Sequence, residues 1–458
     1  MKLSRTTSYH WASLGLAIAL ACGTTAAPAD PPNPPHYIVT DLGTLPGGDG
    51  FSLAYGINNQ GQIDGTSLEE VDGNFVLHSF VIEGGKMIDL GTLGGQNSQS
   101  FANVNASGTV GGEAELAIPD PNSENFCGFG TNLTCVGFIW KDGEMYGLTG
   151  LGGPNNQAAW INNRGVTVGY AETMVRDTAC PPSPGPPASA QVLHFLPVVW
   201  RGLEIERVLP LPKGDAEGVA FAISNRGEVV GASGYCALYD GRYGVAIQPQ
   251  HALLWRHGRM IDLGNLGGHY NHAANAINDR GEVVGSSGLP GDDPANGPQR
   301  AFLWRHGKMT NLGALPGDTK SAAVAINNRG QITGVSLDKN GDTTGILWQD
   351  GKMYDLNDLI PANSPLYLMH GFGINDRGQI VGMAYVWATG NVHAFLATPV
   401  QADKDNQAAI GSGIRKIARF ALPARTRALI AKWMRASHVH GMFALPSPQL
   451  ASTSTATQ

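Results

Sequence analysis

The side chains best suited to chemistry in this sequence lie in short stretches outside its repetitive parts. His269-Tyr270-Asn271-His272 places two imidazoles and a phenol in one Gly-rich segment, a set that suits ligand contact or metal binding. No third ligand follows at a recognisable spacing, so a solvated loop is the simpler reading. Asp338-Lys339-Asn340-Gly341-Asp342 sets oxygens at the first, third and fifth positions of a calcium-type loop. Thr343 replaces the sixth-position Gly of that pattern and Gln349 its twelfth-position Glu, so calcium at Asp338, Asn340 and Asp342 is a weak candidate, and no other cofactor is expected. Glu113, Glu115 and Glu172 are the carboxylates that would serve as acid and base in glycan cleavage, although lone loop carboxylates do not define such a site. The sequence has no Gly-x-Ser-x-Gly, no phosphate loop and no paired-cysteine zinc pattern.

Other candidates recur and so read as structural. Asp41, Asp89, Asp262 and Asp355 share one repeat position, where Gly147 and Asn311 stand in other copies, and His78, His251 and His393 share another. A residue present copy after copy holds a turn more readily than it catalyses. His257 and His306 fall in tight turns and read as solvated.

The repeats that position these residues centre on Ala325 to Gly334, AINNRGQITG. Six relatives begin at Gly56, Asn103, Trp160, Ala222, Ala276 and Gly373. Asn or Ser opening the turn and Gly closing it in the left-handed conformation make each copy a hairpin. Two more segments accompany it: an aromatic strand-turn-strand such as HALLWRHGRM from His251, and a run such as IDLGTLGG from Ile88. Together they predict four strands in each unit of roughly fifty residues, the size of a propeller blade. The array begins at His36 with a lone strand and ends at HAFLATPV without its fourth strand. The expected fold is therefore an all-β, seven-bladed propeller of four-stranded antiparallel blades, closed by the N-terminal strand completing the last blade, which leaves no open sheet edge. The small residues of the Ala-Ile-Asn strand place it innermost. Connections from the second to the third strand vary most, at Glu113–Cys135, Tyr170–Gln191 and Ala232–Gln250, and variable loops on one face are where function is expected.

The His393-Ala394-Phe395 tripeptide, the Asp-Leu-Gly-Thr-Leu-Gly-Gly run and the Ala-Ile-Asn-x-x-Gly-x-x-x-Gly run together resemble the bacterial HAF-repeat proteins, over about His36 to Val400. The resemblance implies an extracellular repeat protein and implies no reaction or catalytic residues.

Export is expected independently. Residues 1–29 read as a signal peptide, with Lys2 and Arg5 ahead of an apolar run, and residues 30–35 as a proline-rich spacer; Cys22 has Leu one place away from where a lipid anchor requires it. The chain has 62 Gly and only 15% charged residues. Past the signal the cysteines number four, an even count that favours disulfides: Cys127–Cys135 closing one short insertion on itself and Cys180–Cys236 joining equivalent insertions of adjacent units. Residues 401–458 form a basic tail in which Ile410, Ile414, Ile417 and Ala421 recur at helical spacing; contact with an anionic membrane surface and docking on the acidic repeat domain are both open to it.

Two functions follow. The first is an exported, non-enzymatic binding or scaffold protein using the loop face of blades two to four, with His269, Tyr270 and His272 at its flank, to hold a glycan, peptide or envelope protein. The second is a carbohydrate-active hydrolase or lyase with its site at the channel mouth. Nucleic acid is not an expected partner of a chain with net charge −7.

Overall fold

A computed structural model describes residues 34–71, 74–101, 103–178, 192–236, 247–292, 297–400, 420–424 and 426–427. The signal segment, the Cys180–Cys236 pairing and the helical pattern of residues 410–419 lie outside the described residues. The chain divides into Met1–Pro34 and Pro35–Gln458, and every described strand belongs to the second unit.

The fold is all-β. Among the described residues the exceptions are one 3-10 helix, Leu356–Leu359, and a helical turn after Pro423. Among the described residues three sheets have four strands and two have eight. Each eight-stranded sheet is two antiparallel groups of four joined by a single parallel pair, Phe51 with Val392 in one and Gln299 with Lys320 in the other. Seven antiparallel groups result: Gly48–Asp89, Gly94–Gly147, Asn156–Val208, Glu217–Asp262, Ala273–Gly313, Lys320–Asp355, and Leu366–Pro399 with Tyr37–Gly43.

The sixth group shows how the repeat becomes structure. Lys320–Ile326, Ile332–Leu337, Thr343–Gln349 and Lys352–Asp355 pair in chain order. The first of these is buried throughout and the fourth only partly. Its first strand carries a bulge between Ala323 and Ala325, and the same irregularity recurs in the first strands of the first, third, fourth, fifth and seventh groups. The extra residue delivers a side chain to a shared core, where Tyr55 meets Phe101 at 5.5 Å and Phe372 at 5.3 Å. Beside the bulge the backbones approach so closely that a Cβ on Gly334 would overlap the Ala322 carbonyl oxygen. That explains the last Gly of AINNRGQITG. The earlier Gly330 has φ +82° and closes the hairpin as expected.

The opening Asn does more than start the turn. Asn327 Oδ1 accepts the amides of Arg329 and Gln331, both at 3.0 Å, while Nδ2 donates to the Asn375 carbonyl of the next group at 2.9 Å. The same donation runs from Asn58 to Asn105, Asn105 to Asn162, Asn162 to Ser224, Asn278 to Asn327, and Asn375 back to Asn58. Ser224 has no amide to donate. There the backbone N–H and Nδ2 of Asn225 donate to Asp279 at 2.8 and 3.0 Å.

The N-terminal strand pairs antiparallel with Val392–Pro399, Tyr37 opposite Pro399 and Gly43 opposite Ala394. His393 Nδ1 and Asp41 add a bond across it at 2.9 Å.

Deleting residues 36–45 should expose the edge of Val392–Pro399 and cause aggregation or a markedly lower melting temperature. Asn327→Ala should cost about 1–2 kcal/mol, because it removes the acceptor of two partly buried turn amides and one bond to the buried Asn375 carbonyl. Gly334→Ala should cost about 3 kcal/mol through overlap with backbone that cannot move aside. Urea denaturation of each variant checks these values; wild-type midpoints would refute them.

Candidate functional site

The repeated Asp and His residues take structural positions. Asp89 Oδ1 accepts the Gly91 amide at 2.8 Å, Asp262 the Gly264 amide at 2.9 Å and Asp355 the Asn357 amide at 2.8 Å. His78 pairs with Asp89 at 2.9 Å and His251 with Asp215 at 2.8 Å. The Asp338 hairpin is an Asx turn of the Asn327 kind: Asp338 Oδ1 accepts the amides of Asn340 and Asp342, at 2.7 and 3.0 Å. Asp342 is engaged by Arg427 at 3.0 Å. The carboxylates of the calcium-like stretch are thus committed to the turn and to an ion pair.

A cavity of about 250 Å³ lies among the seven Asn and Ser hairpins, touched by residues of each, among them Asn58, Asn163, Asn225, Asp279, Asn328 and Asp376. Its rim groups bond to one another. Asn163 N donates to Asn225 Oδ1 at 2.9 Å, Asp279 N to Asn328 Oδ1 at 2.9 Å, and Asn328 N to Asp376 Oδ1 at 2.8 Å.

The insertion after the second strand of the second group is built differently. Asp120 Oδ1 accepts the amides of Asn122 and Glu124, at 2.8 and 2.9 Å, and Asn125 Oδ1 accepts the Gly130 amide at 2.8 Å. Cys127 and Cys135 form the expected disulfide, with Cα atoms 6.1 Å apart. Phe126 is fully buried beside Tyr170 of the third group at 5.6 Å, and Glu124 accepts the amides of Val192 and Leu193 from that group. Local turns, a covalent link and apolar packing therefore hold this insertion against its neighbour.

Glu113, Glu115 and Glu172 come together with it, and all three are buried. Glu115 accepts from Asn97 Nδ2 at 2.8 Å and from the Thr131 hydroxyl. Glu172 accepts from the N–H and Nδ2 of Asn155 at 3.1 and 2.9 Å, and Asn155 also donates to Asp120 at 2.8 Å. Asn155 Oδ1 in turn accepts the Cys135 amide at 2.9 Å, so an Asn–Glu pair fastens the third group to the second. Neither carboxyl oxygen of Glu113 has a hydrogen-bond partner. Burial, and next to it the charge of Glu115, holds the Glu113 pKa well above the ordinary range. Burial also raises Glu172, reinforced by Glu124, and pushes Glu124 up to about 7. Burial thus disfavours the ionised form of Glu113 and Glu172 inside the fold.

The His pair divides. His269 is 80% exposed, with Nδ1 3.6 Å from Asp292. His272 is buried, its Nδ1 3.0 Å from the Ser287 hydroxyl and its Nε2 without a partner, and burial lowers its pKa. Tyr270 lies half-buried beside His269, its ring 6.4 Å away, and its amide donates to Asp292 at 2.8 Å.

One grouping was not apparent from sequence. Asp177, His194 and Glu217 bring ligand atoms within 4.8 Å of one another, with His194 Nδ1 2.6 Å from Glu217. Glu217 also accepts the Phe195 amide at 3.1 Å, and burial, tempered by His194, pushes its pKa to about 7. Glu217 plays the part that Asn155 plays one group earlier, and no spacing rule links its position to those of Asp177 and His194. A surface feature also emerges. Ile118, Met174, Val175 and Tyr235 are 57%, 78%, 61% and 44% exposed, and all lie at the loop ends of second strands in the second, third and fourth groups.

No protein-family model matches the sequence, and no curated protein does. Among solved structures the chain is similar to a Mycobacterium tuberculosis puromycin-hydrolysing peptidase, with 12% identity and a TM-score of 0.43 over 77% of this chain and 56% of that one. A puromycin hydrolase gives 12% identity and a TM-score of 0.42 over 79% and 55%. An Aleuria aurantia lectin variant in complex with Fucα1-6GlcNAc gives 9% and 0.25 over 77% and 97%. The chain spans little more than half the length of the first two.

Glu113 yields a pH test. Its native pKa lies above the unfolded value near 4.5, so the native state holds the extra proton and stability declines as pH rises from that value towards the native one. Glu113→Gln removes this dependence and should gain on the wild type between pH 5 and pH 8 by on the order of 1.4 kcal/mol per unit until the native pKa is passed. Equal stability differences at both pH values would show that Glu113 is ionised in the fold.

Proposed function

We propose that the protein is an exported, non-enzymatic binding or scaffold protein of the HAF-repeat type, in which the seven groups are the blades of one closed propeller. The circuit of Asn amides returning from Asn375 to Asn58, and the pairing of Tyr37–Gly43 with the last group, support ring closure. The partner surface is the loop face of blades two to four. The observation that carries this is the exposed apolar set Ile118, Met174, Val175 and Tyr235 on an insertion surface stiffened by Cys127–Cys135. Exposed aliphatic side chains on an ordered surface are stabilised by covering them with another protein. A pre-stiffened loop loses less entropy when it binds. A cell-envelope protein or peptide is therefore preferred to a glycan. Against the hydrolase reading stands the burial of Glu113, Glu115 and Glu172, which removes them from any substrate in solvent.

Met174→Asp with Val175→Asp should abolish chemical cross-linking to envelope proteins. Leu203→Asp with Val208→Asp, equally charged changes at exposed positions in the outer hairpin of the same blade, should leave it intact. Equal recovery by both double variants would refute the assigned surface. Glycan turnover abolished by His272→Ala would replace it with the hydrolase.

A further inference from the structure

The described part of the basic tail is seated on the sixth and seventh groups. Phe420 enters a cluster of Tyr367, Tyr385 and Trp387, with ring centroids at 5.7, 5.0 and 4.4 Å. Leu422 is buried in the adjoining core with Leu337, Met383 and Val392. Polar contacts fix the direction of the segment. The Leu422 amide donates to Asp342 Oδ1 at 3.3 Å, the Thr426 hydroxyl donates to the Gly390 carbonyl at 3.2 Å, and Arg427 pairs with Asp342. The seat is thus a two-pocket groove, aromatic for Phe and aliphatic for Leu, beyond which Pro423 ends the extended stretch.

The seated tetrapeptide Phe420-Ala421-Leu422-Pro423 occurs again in the same tail as Phe443-Ala444-Leu445-Pro446. We propose that this groove is a Phe-Ala-Leu-Pro recognition site and that residues 443–446 of the same chain are its second occupant, exchanging with residues 420–423. Both copies carry the two side chains that fill the pockets. The second has Ser447-Pro448-Gln449-Leu450 where the first has Ala424-Arg425-Thr426-Arg427, so it lacks the Asp342 ion pair and the Thr426 hydroxyl bond and is the weaker ligand. Tethering offsets that weakness, because a flexible link presents the second copy at an effective concentration on the order of 1 mM. The 42 residues between Val400 and Phe443 can reach at most about 140 Å, so chain length does not prevent the exchange. The groove thereby holds its own tail under two affinities, and releasing the first copy does not expose the aromatic cluster.

Hydroxyl-radical footprinting of Tyr385, which is 7% exposed beneath the seated segment, tests the proposal in the full chain. Phe420→Ala alone should leave its oxidation close to wild type, because the second copy takes the groove. Phe443→Ala alone should do the same. The double variant should raise oxidation roughly tenfold, as expected when a site about 90% occupied is emptied. Acetylated FALPSPQL peptide added to the double variant should restore protection, and a scrambled peptide should not. Exposure by Phe420→Ala equal to that of the double variant would overturn the proposal, as would failure of the peptide to protect. If the double variant does not fold by circular dichroism, Leu422→Ser with Leu445→Ser provides the same comparison through the aliphatic pocket.

Discussion

The structure depends on the side-chain amide that opens each hairpin. One Asn satisfies two amides of its own turn and donates to the carbonyl of the next hairpin, as Asn327 does for Asn375. A polar turn at the end of a fully buried strand is tolerable only when each of its groups has a partner. Here part of each partner set comes from the neighbouring group, so no group is complete by itself. The single break in the series shows the strength of the constraint. At Ser224, which cannot donate, a second set of links still joins the two hairpins, since Asn225 donates to Asp279 there just as Asn328 donates to Asp376.

The two ends of these groups obey different rules because of that linkage. On the hairpin side the polar atoms are used up in bonds between copies, which keeps the turns short and alike. On the opposite side the links are made by varied pairs: Asn97 with Glu115, Asn155 with Glu172, and Glu217 receiving the Phe195 amide. Insertions are compatible with such pairs, and burial raises the pKa of the carboxyls they enclose. Two of the candidate carboxylates in the sequence, Glu115 and Glu172, thereby become fasteners in the fold. The same side is covered by the chain's own tail over the sixth and seventh groups and presents exposed apolar side chains over the second to fourth.

Hairpins, strand order within a group, the turn-holding Asp residues and the match between the two chain ends were legible from sequence. Each follows from local chemistry: strand period, Asn or Asp opening a turn, Gly where φ is positive, and a strand missing at one end that is present at the other. The Cys127–Cys135 link was legible for the same reason, since eight positions separate the pair. The remaining features come from contacts between segments whose separation carries no pattern. Asn375 reaches Asn58 across 317 positions, Leu422 reaches Asp342 across 80, and Glu124 reaches Val192 across 68. Asp338 reads as a calcium-loop residue in sequence because such a loop and an Asx hairpin begin with the same oxygen-bearing residues, and the structure shows it accepting two amides of its own turn. The sequence alone determined the repeat, its strands and its turns, because those are set by neighbours in the chain. Only the tertiary structure decided which carboxyls are buried and where the tail is seated, because burial and hydrogen-bond partnership are set by neighbours in space.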